Sequence, residues 1–285
     1  MREAPVPERI PAPVLAAMSV AIAVTLSACT ATPAPESGSD ATPTIDPDRF
    51  SGLVDVGDHE LWASCSGSGS PTIVLEAGDE SDHSEWGNVA GRLIDETRVC
   101  SYDRLGVGQS DDAAGCRQLT DFTADLEALL AGLGEEGPYV LVGGSGGGYL
   151  VAGFAYAHPE EVAGIVMLDT ARAIDTATAP ADLLELVKCD SPSNIERRDY
   201  VAVEHAAWDN RVLIGDIPMT VMSNDYGDSA ATDDERNNVS DQQGWFVLSP
   251  QARQVLVTSG HDMASNESDL VVEEILTVLV AARAS

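Results

Sequence analysis

A chain of 285 residues is long enough for one large core or two small ones, and its 47 acidic against 15 basic side chains give a formal net charge of −32. Such a surface repels phosphate backbones, so nucleic acid is excluded as a partner, and anionic membrane surfaces are repelled as well. Only one of the basic residues is a lysine, Lys188, and the acids are scattered rather than gathered in one motif. A solvated acidic face explains them more simply than a cation-binding function does.

Residues 1–28 read as a signal peptide. Arg2 and Arg9 supply a positive start, and Val14 to Leu26 form an apolar run too short for the ~20 residues that span a bilayer. The run ends in Leu26-Ser27-Ala28-Cys29, which resembles the lipobox of bacterial lipoproteins. The resemblance implies cleavage before Cys29 and acylation of that cysteine. Two acyl chains would anchor the chain firmly to the cell membrane on its extracytoplasmic side. Residues 29–50 are mostly Thr, Ala, Pro, Ser, Gly and Asp, so they are expected to be a flexible tether. Residues 51–285 form the expected folded domain. The remaining cysteines, Cys65, Cys100, Cys116 and Cys189, show no metal-ligand spacing, and outside the cytoplasm they suggest disulfides with three possible pairings.

From Leu53 onward short apolar strands alternate with helical stretches. Strands are expected at Pro71–Glu76, Arg98–Tyr102, Tyr139–Val142, Val162–Leu168, Pro218–Met222 and Arg253–Val257. Helices are expected over Glu85–Glu96, Leu119–Leu133, Tyr149–Ala157 and Leu270–Ala282, and His59 falls in an early strand. This alternation predicts an α/β fold: a mostly parallel sheet with helices on both faces. Residues 171–215 break the rhythm, with helical pieces at Pro180–Lys188 and Asp199–Asp209 and no strand, and are expected to form a small helical cap. Leu183, Leu184, Leu186, Val187, Trp208, Val212 and Leu213 of that cap would either line an apolar pocket or pack the cap down.

The strongest chemical signal is Gly143-Gly144-Ser145-Gly146-Gly147 between an expected strand and an expected helix. It is the Gly-x-Ser-x-Gly nucleophile-elbow pattern, whose tight turn leaves no room for side chains two residues either side of the serine. A phosphate-binding Walker loop would need Lys-Ser/Thr where Gly147-Gly148-Tyr149 stand. A dinucleotide fingerprint belongs after the first strand, whereas this turn follows several.

With the elbow in view, residues 53–283 resemble an α/β-hydrolase. The likeness is carried also by Glu76-Ala77-Gly78, by Tyr102-Asp103-Arg104-Leu105-Gly106-Val107-Gly108-Gln109-Ser110, by Tyr156-Ala157-His158-Pro159-Glu160-Glu161-Val162, and by Ser259-Gly260-His261-Asp262. The resemblance implies Ser145 as nucleophile, His261 as its base, and the amides of Gly146 and Asp79 as an oxyanion hole. The third member stays open. Asp169 would supply it from the end of the strand Val162–Leu168, while Asp225 and Asp228 lie in the loop after Pro218–Met222, where family members commonly carry the acid. Gly144 stands where the family often has histidine. His83 and His205 are candidates for a pocket wall, and His59 and His158 for structural roles.

The expected activity is hydrolysis of carboxylic esters or related acyl compounds through an acyl-enzyme on Ser145. It needs no metal, cofactor, nucleic acid or obligatory protein partner. An amidase or aminopeptidase on the same scaffold, or a non-catalytic ligand-binding lipoprotein, are the alternatives.

Overall fold

The computed structural model describes residues 48–230 and 232–285. The signal segment, Cys29 and nearly all of the tether lie outside the described residues. Eight strands form one sheet: β1 Arg49–Asp55, β2 Glu60–Ser66, β3 Thr72–Glu76, β4 Val99–Tyr102, β5 Tyr139–Gly144, β6 Val162–Leu168, β7 Met219–Asn224 and β8 Ala252–Val257. Their order is β1-β2-β4-β3-β5-β6-β7-β8, with β1, β2 and β4 paired antiparallel and every later pairing parallel. β1 begins at Arg49, so the last two residues assigned to the tether pair with β2 instead. His59 lies in the turn between β1 and β2, not in a strand.

Side chains of the parallel strands alternate between two cores, as a period of two requires. Leu141, Ile165, Met167 and Val221 pack on one face with α1 Leu119–Leu133 and α2 Gly147–Ala157. Val140, Val142, Val166, Leu168 and Met222 pack on the other with Trp86 and with α7 Ser268–Ala284. Helices therefore cover both faces. The stretch Glu85–Glu96, expected as one helix, forms two short 3-10 turns, His83–Trp86, ended by Gly87, and Ala90–Arg92.

The insert after β6 carries two short helices, α3 Ala181–Leu186 and α4 Tyr200–Asp209. Two more helices follow: α5 Asp233–Gln242, with no counterpart among the expected elements, and the single turn α6 Met263–Asn266. Both remaining cysteine pairs are bonded. Cys65–Cys100 joins directly opposed residues of β2 and β4, and Cys116–Cys189 ties the segment before α1 to the insert.

Candidate active site

β5 ends in the elbow, and Ser145 takes a left-handed backbone with φ 48°. That conformation is costly for a residue with a Cβ and persists only where surrounding contacts impose it. The contacts are present: the Ser145 amide donates to Leu168 O at 2.7 Å, and Thr170 Oγ1 donates to Ser145 O at 3.0 Å. Added Cβ atoms at Gly143 and Gly147 would meet backbone of Gly148 at 2.7 Å and Ala77 O at 2.4 Å. Only glycine fits either position.

The structure brings Ser145, His261 and Asp169 into one line. His261 Nε2 lies 2.8 Å from Ser145 Oγ, and His261 Nδ1 lies 2.7 Å from Asp169 Oδ2. A proton on Nδ1, donated to Asp169, leaves Nε2 free to accept the serine hydroxyl. Asp169 stands just beyond β6, also at φ 48°, and is buried. Its other oxygen, Oδ1, accepts from the Asn224 amide at 3.1 Å, Asn238 Nδ2 at 2.8 Å and Gln242 Nε2 at 2.6 Å. Burial alone would raise the Asp169 carboxyl. The hydrogen bonds from His261, Asn238, Asn224 and Gln242 outweigh it, and the carboxyl sits below its ordinary range. His261 is shifted upward, first by its hydrogen bond to Asp169, against desolvation, with added pull from the charges of Asp169, Asp262 and Glu85.

Asp225 and Asp228 are not brought to the histidine. The Asp225 carboxylate accepts the Gly227 amide at 2.9 Å, and Asp228 lies in a following exposed 3-10 turn. At the end of β7, Asn224 Oδ1 accepts the Gly260 amide at 3.0 Å, steadying the loop that bears His261. Asn238 and Gln242 were not singled out in the sequence. The available signal was Thr232-Asp233-Asp234-Glu235, a capping box whose reciprocal bonds form here and start α5.

Of the expected oxyanion donors, Gly146 directly follows Ser145 in the chain, and Asp79 lines the same cavity as Ser145. Neither amide is spent on a turn or loop hydrogen bond among the described residues. Gly144 has an explanation in space: a Cβ there would lie 2.6 Å from Glu85 Oε1. The Glu85 carboxylate thus occupies the volume behind the elbow, and its Oε2 accepts the Gly78 amide at 2.8 Å.

Two cavities meet at His261. One, of about 360 Å³, holds Ser145, Gly78, Asp79, Glu85, Met263 and Ala264 among its walls. The other, of about 350 Å³, runs beneath the cap along Ala171, Ile174, Pro180 and Leu183, faced by Tyr226 and Asn238. Of the apolar cap residues considered, Leu183 lines it, while Leu186, Val212 and Leu213 are exposed and Trp208 stacks edge-on against Trp245. Neither His83 nor His205 is in these walls. His83 bonds to Asp103 at 2.7 Å and stacks on Trp62, and His205 Nε2 contacts Ile174 O at 2.9 Å. Asp82, His83 and Asp103 lie close enough for a metal. Their carboxylates are engaged instead, Asp82 by the Ser84 amide and Asp103 by the His83 and Gln109 amides.

Residues 73–262 match the family model described as alpha/beta hydrolase fold. The chain belongs to the α/β-hydrolase fold family. This α/β-hydrolase is 27% identical over 232 residues to the uncharacterized protein YqjL of Bacillus subtilis, covering 76% of this chain and 86% of that one. It is 37% identical over 117 residues to lipase LipV of Mycobacterium tuberculosis, covering 41% of this chain and 44% of that one. Across the curated relatives it matches, it spans from 18% to 86% of their lengths. Among solved structures it superposes on a thermophilic esterase from Thermogutta terrifontis with a TM-score of 0.64 at 20% identity, covering 82% of this chain and 98% of that one. At that identity the likeness speaks for the fold.

Proposed function

We propose that the chain is a serine hydrolase of carboxylic esters, held outside the cell membrane by lipidated Cys29. The observation that carries the chemistry is the unbroken line Ser145 Oγ, His261, Asp169, at 2.8 and 2.7 Å. In this reading His261 Nε2 takes the proton as Ser145 Oγ attacks the ester carbonyl. The amides of Gly146 and Asp79 hold the developing oxyanion, and their alignment is set before the substrate arrives. The acyl part sits in the cavity around Ser145, and the alcohol leaves into the cap cavity with the proton returned by His261. Water activated by the same imidazole then releases the acid. A lipase relative and an esterase of the same fold fit this reading.

Labelling with a fluorophosphonate probe tests it. The probe is expected to modify the folded protein once, at Ser145, and Ser145→Ala is expected to lose both labelling and p-nitrophenyl ester turnover. Folded protein that takes no label would instead leave a non-catalytic binding role on this scaffold. Faster turnover of aminoacyl anilides than of esters would move the assignment to an amidase.

A further inference from the structure

We propose that Arg198, a cap residue, is a positioning residue for the oxyanion site, acting through the carboxylate of Asp79. The proposal rests on the serine-hydrolase reading and adds to it a role for the cap beyond shaping a pocket.

Arg198 is wholly buried, and its Nη1 pairs with Asp79 Oδ1. Its Nη2 lies 3.4 Å from Gly146 O. One guanidinium therefore touches both residues whose amides flank the nucleophile. Those two residues are themselves in close contact: a Cβ at Gly146 would fall 1.8 Å from Asp79 Oδ1, so the carboxylate lies against the Gly146 backbone. A buried arginine without a counter-charge is strongly unfavourable. The charges of Glu196 and Glu204 act on Arg198 too, but Asp79 is the carboxylate it bonds directly, and that bond restricts where the Asp79 side chain can sit. Fixing the carboxylate fixes the Asp79 backbone, and with it the direction of the Asp79 N–H.

The guanidinium is held from behind. Its central carbon lies 4.9 Å from the Tyr200 ring centroid and 5.8 Å from that of Tyr149. The Arg198 backbone exchanges bonds with the Asn194 side chain, at 2.7 and 3.2 Å. Its neighbours bridge to Arg117, whose amide donates to Arg197 O at 2.8 Å and whose carbonyl accepts from Asp199 at 3.0 Å. Cys116, next to Arg117, is bonded to Cys189.

A second pair from the same segment holds the rest of the loop. Glu196 Oε1 accepts the Glu80 amide at 2.5 Å, and Glu196 pairs with Arg104. Arg104 in turn donates to Ala77 O at 2.7 Å and Gly78 O at 2.6 Å. Residues 77–80 are thus held by buried charges from this segment and from Arg104, and Arg198 is the one that touches both Asp79 and Gly146.

Arg198→Met, Arg198→Lys, Asp79→Asn and the double variant Arg198→Met/Asp79→Asn would be compared with the wild type on p-nitrophenyl butyrate. A trifluoromethyl ketone, whose hemiketal adduct with Ser145 places an oxyanion on the same amides, would be titrated alongside. Loss of one oxyanion donor costs about 100- to 1,000-fold, so partial misalignment in Arg198→Met should lower kcat by ~10- to 100-fold while KM changes less than ~3-fold. The ketone's inhibition constant should rise by the factor by which kcat/KM falls. Arg198→Lys should lie between the two, because it keeps the charge but not the fork. The double variant should be no worse than the worse single one. If Arg198→Met does not fold, Arg198→Lys decides by the same two readouts. A kcat within ~3-fold of wild type, or a fall in kcat with no change in ketone affinity, overturns the proposal. Wild-type protein that neither turns over ester nor takes a fluorophosphonate overturns the serine-hydrolase reading itself, and this inference with it.

Discussion

Asp169 accepts hydrogen bonds on both carboxylate oxygens, and the division between them governs how His261 titrates. Oδ1 is filled by the Asn224 amide, Asn238 and Gln242, which leaves Oδ2 to the imidazole. A base must be neutral to act, so activity rises as pH climbs through the folded-state pKa of His261. That pKa is raised, so the rise should fall above the ordinary imidazole value of about 6.5. Asp169→Asn removes the first cause of the shift. We expect kcat to drop by ~1,000- to 10,000-fold, with the residual acid limb moved to lower pH, measured as kcat/KM from pH 5 to 9. Asp225→Asn, whose carboxylate serves only its own turn, should leave kcat and the limb in place. Full activity in Asp169→Asn would return the role to the later loop.

At the scale of elements, the cap is held together by polar side chains as well as apolar ones. Glu204 on α4 accepts the Ile174 amide at 2.9 Å and is buried, and burial, the largest cause, raises its pKa to about 7. The folded pKa lies above the unfolded one, so folding favours the protonated form. Stability is therefore lost as pH rises from the unfolded value of about 4.5 through about 7, by roughly 3 kcal/mol in all. Glu204→Gln should melt at the same temperature as the wild type or lower at pH 4.5, and clearly above it at pH 8, by calorimetry. A wild-type advantage at pH 8 would refute this.

β3 to β8, α1, α2, α7 and the elbow were legible because each is written in apolar periodicity or glycine spacing, while the antiparallel β1 and β2 were not. The sequence placed Asp169 within reach because a residue at the end of β6 must emerge at the same sheet edge as Ser145. α5 was invisible, since Asp233–Gln242 has no apolar stripe and its buried residues are Asn238 and Gln242. Glu196 and Arg198 carry no sequence signal that sets them apart from the other charges of the insert. Their burial follows from partners 92 and 119 residues away, which no local pattern encodes.

For the molecule as a whole, a net charge of −32 sets the proposed acyl anchor and the surface at odds. A surface of that charge is repelled by an anionic membrane, so on the proposed reading attachment would come from lipid chains on Cys29 rather than from the folded domain. Full-length protein made in a bacterial host should partition into the detergent phase of Triton X-114. Cys29→Ala should move it to the aqueous phase with its ester turnover unchanged. Detergent-phase behaviour that survives Cys29→Ala would overturn the anchor.

The two cavities that meet at His261 carry a consequence for what the enzyme can make as well as break. On the proposed mechanism the alcohol departs into the cap cavity while the acyl group stays bound on the other side of the imidazole. The vacated space is then where the second nucleophile approaches, and about 350 Å³ admits far more than a water molecule. The partition between hydrolysis and alcoholysis is therefore a property of the walls set by Ile174, Leu183 and Tyr226, while the triad stays indifferent to which acceptor wins.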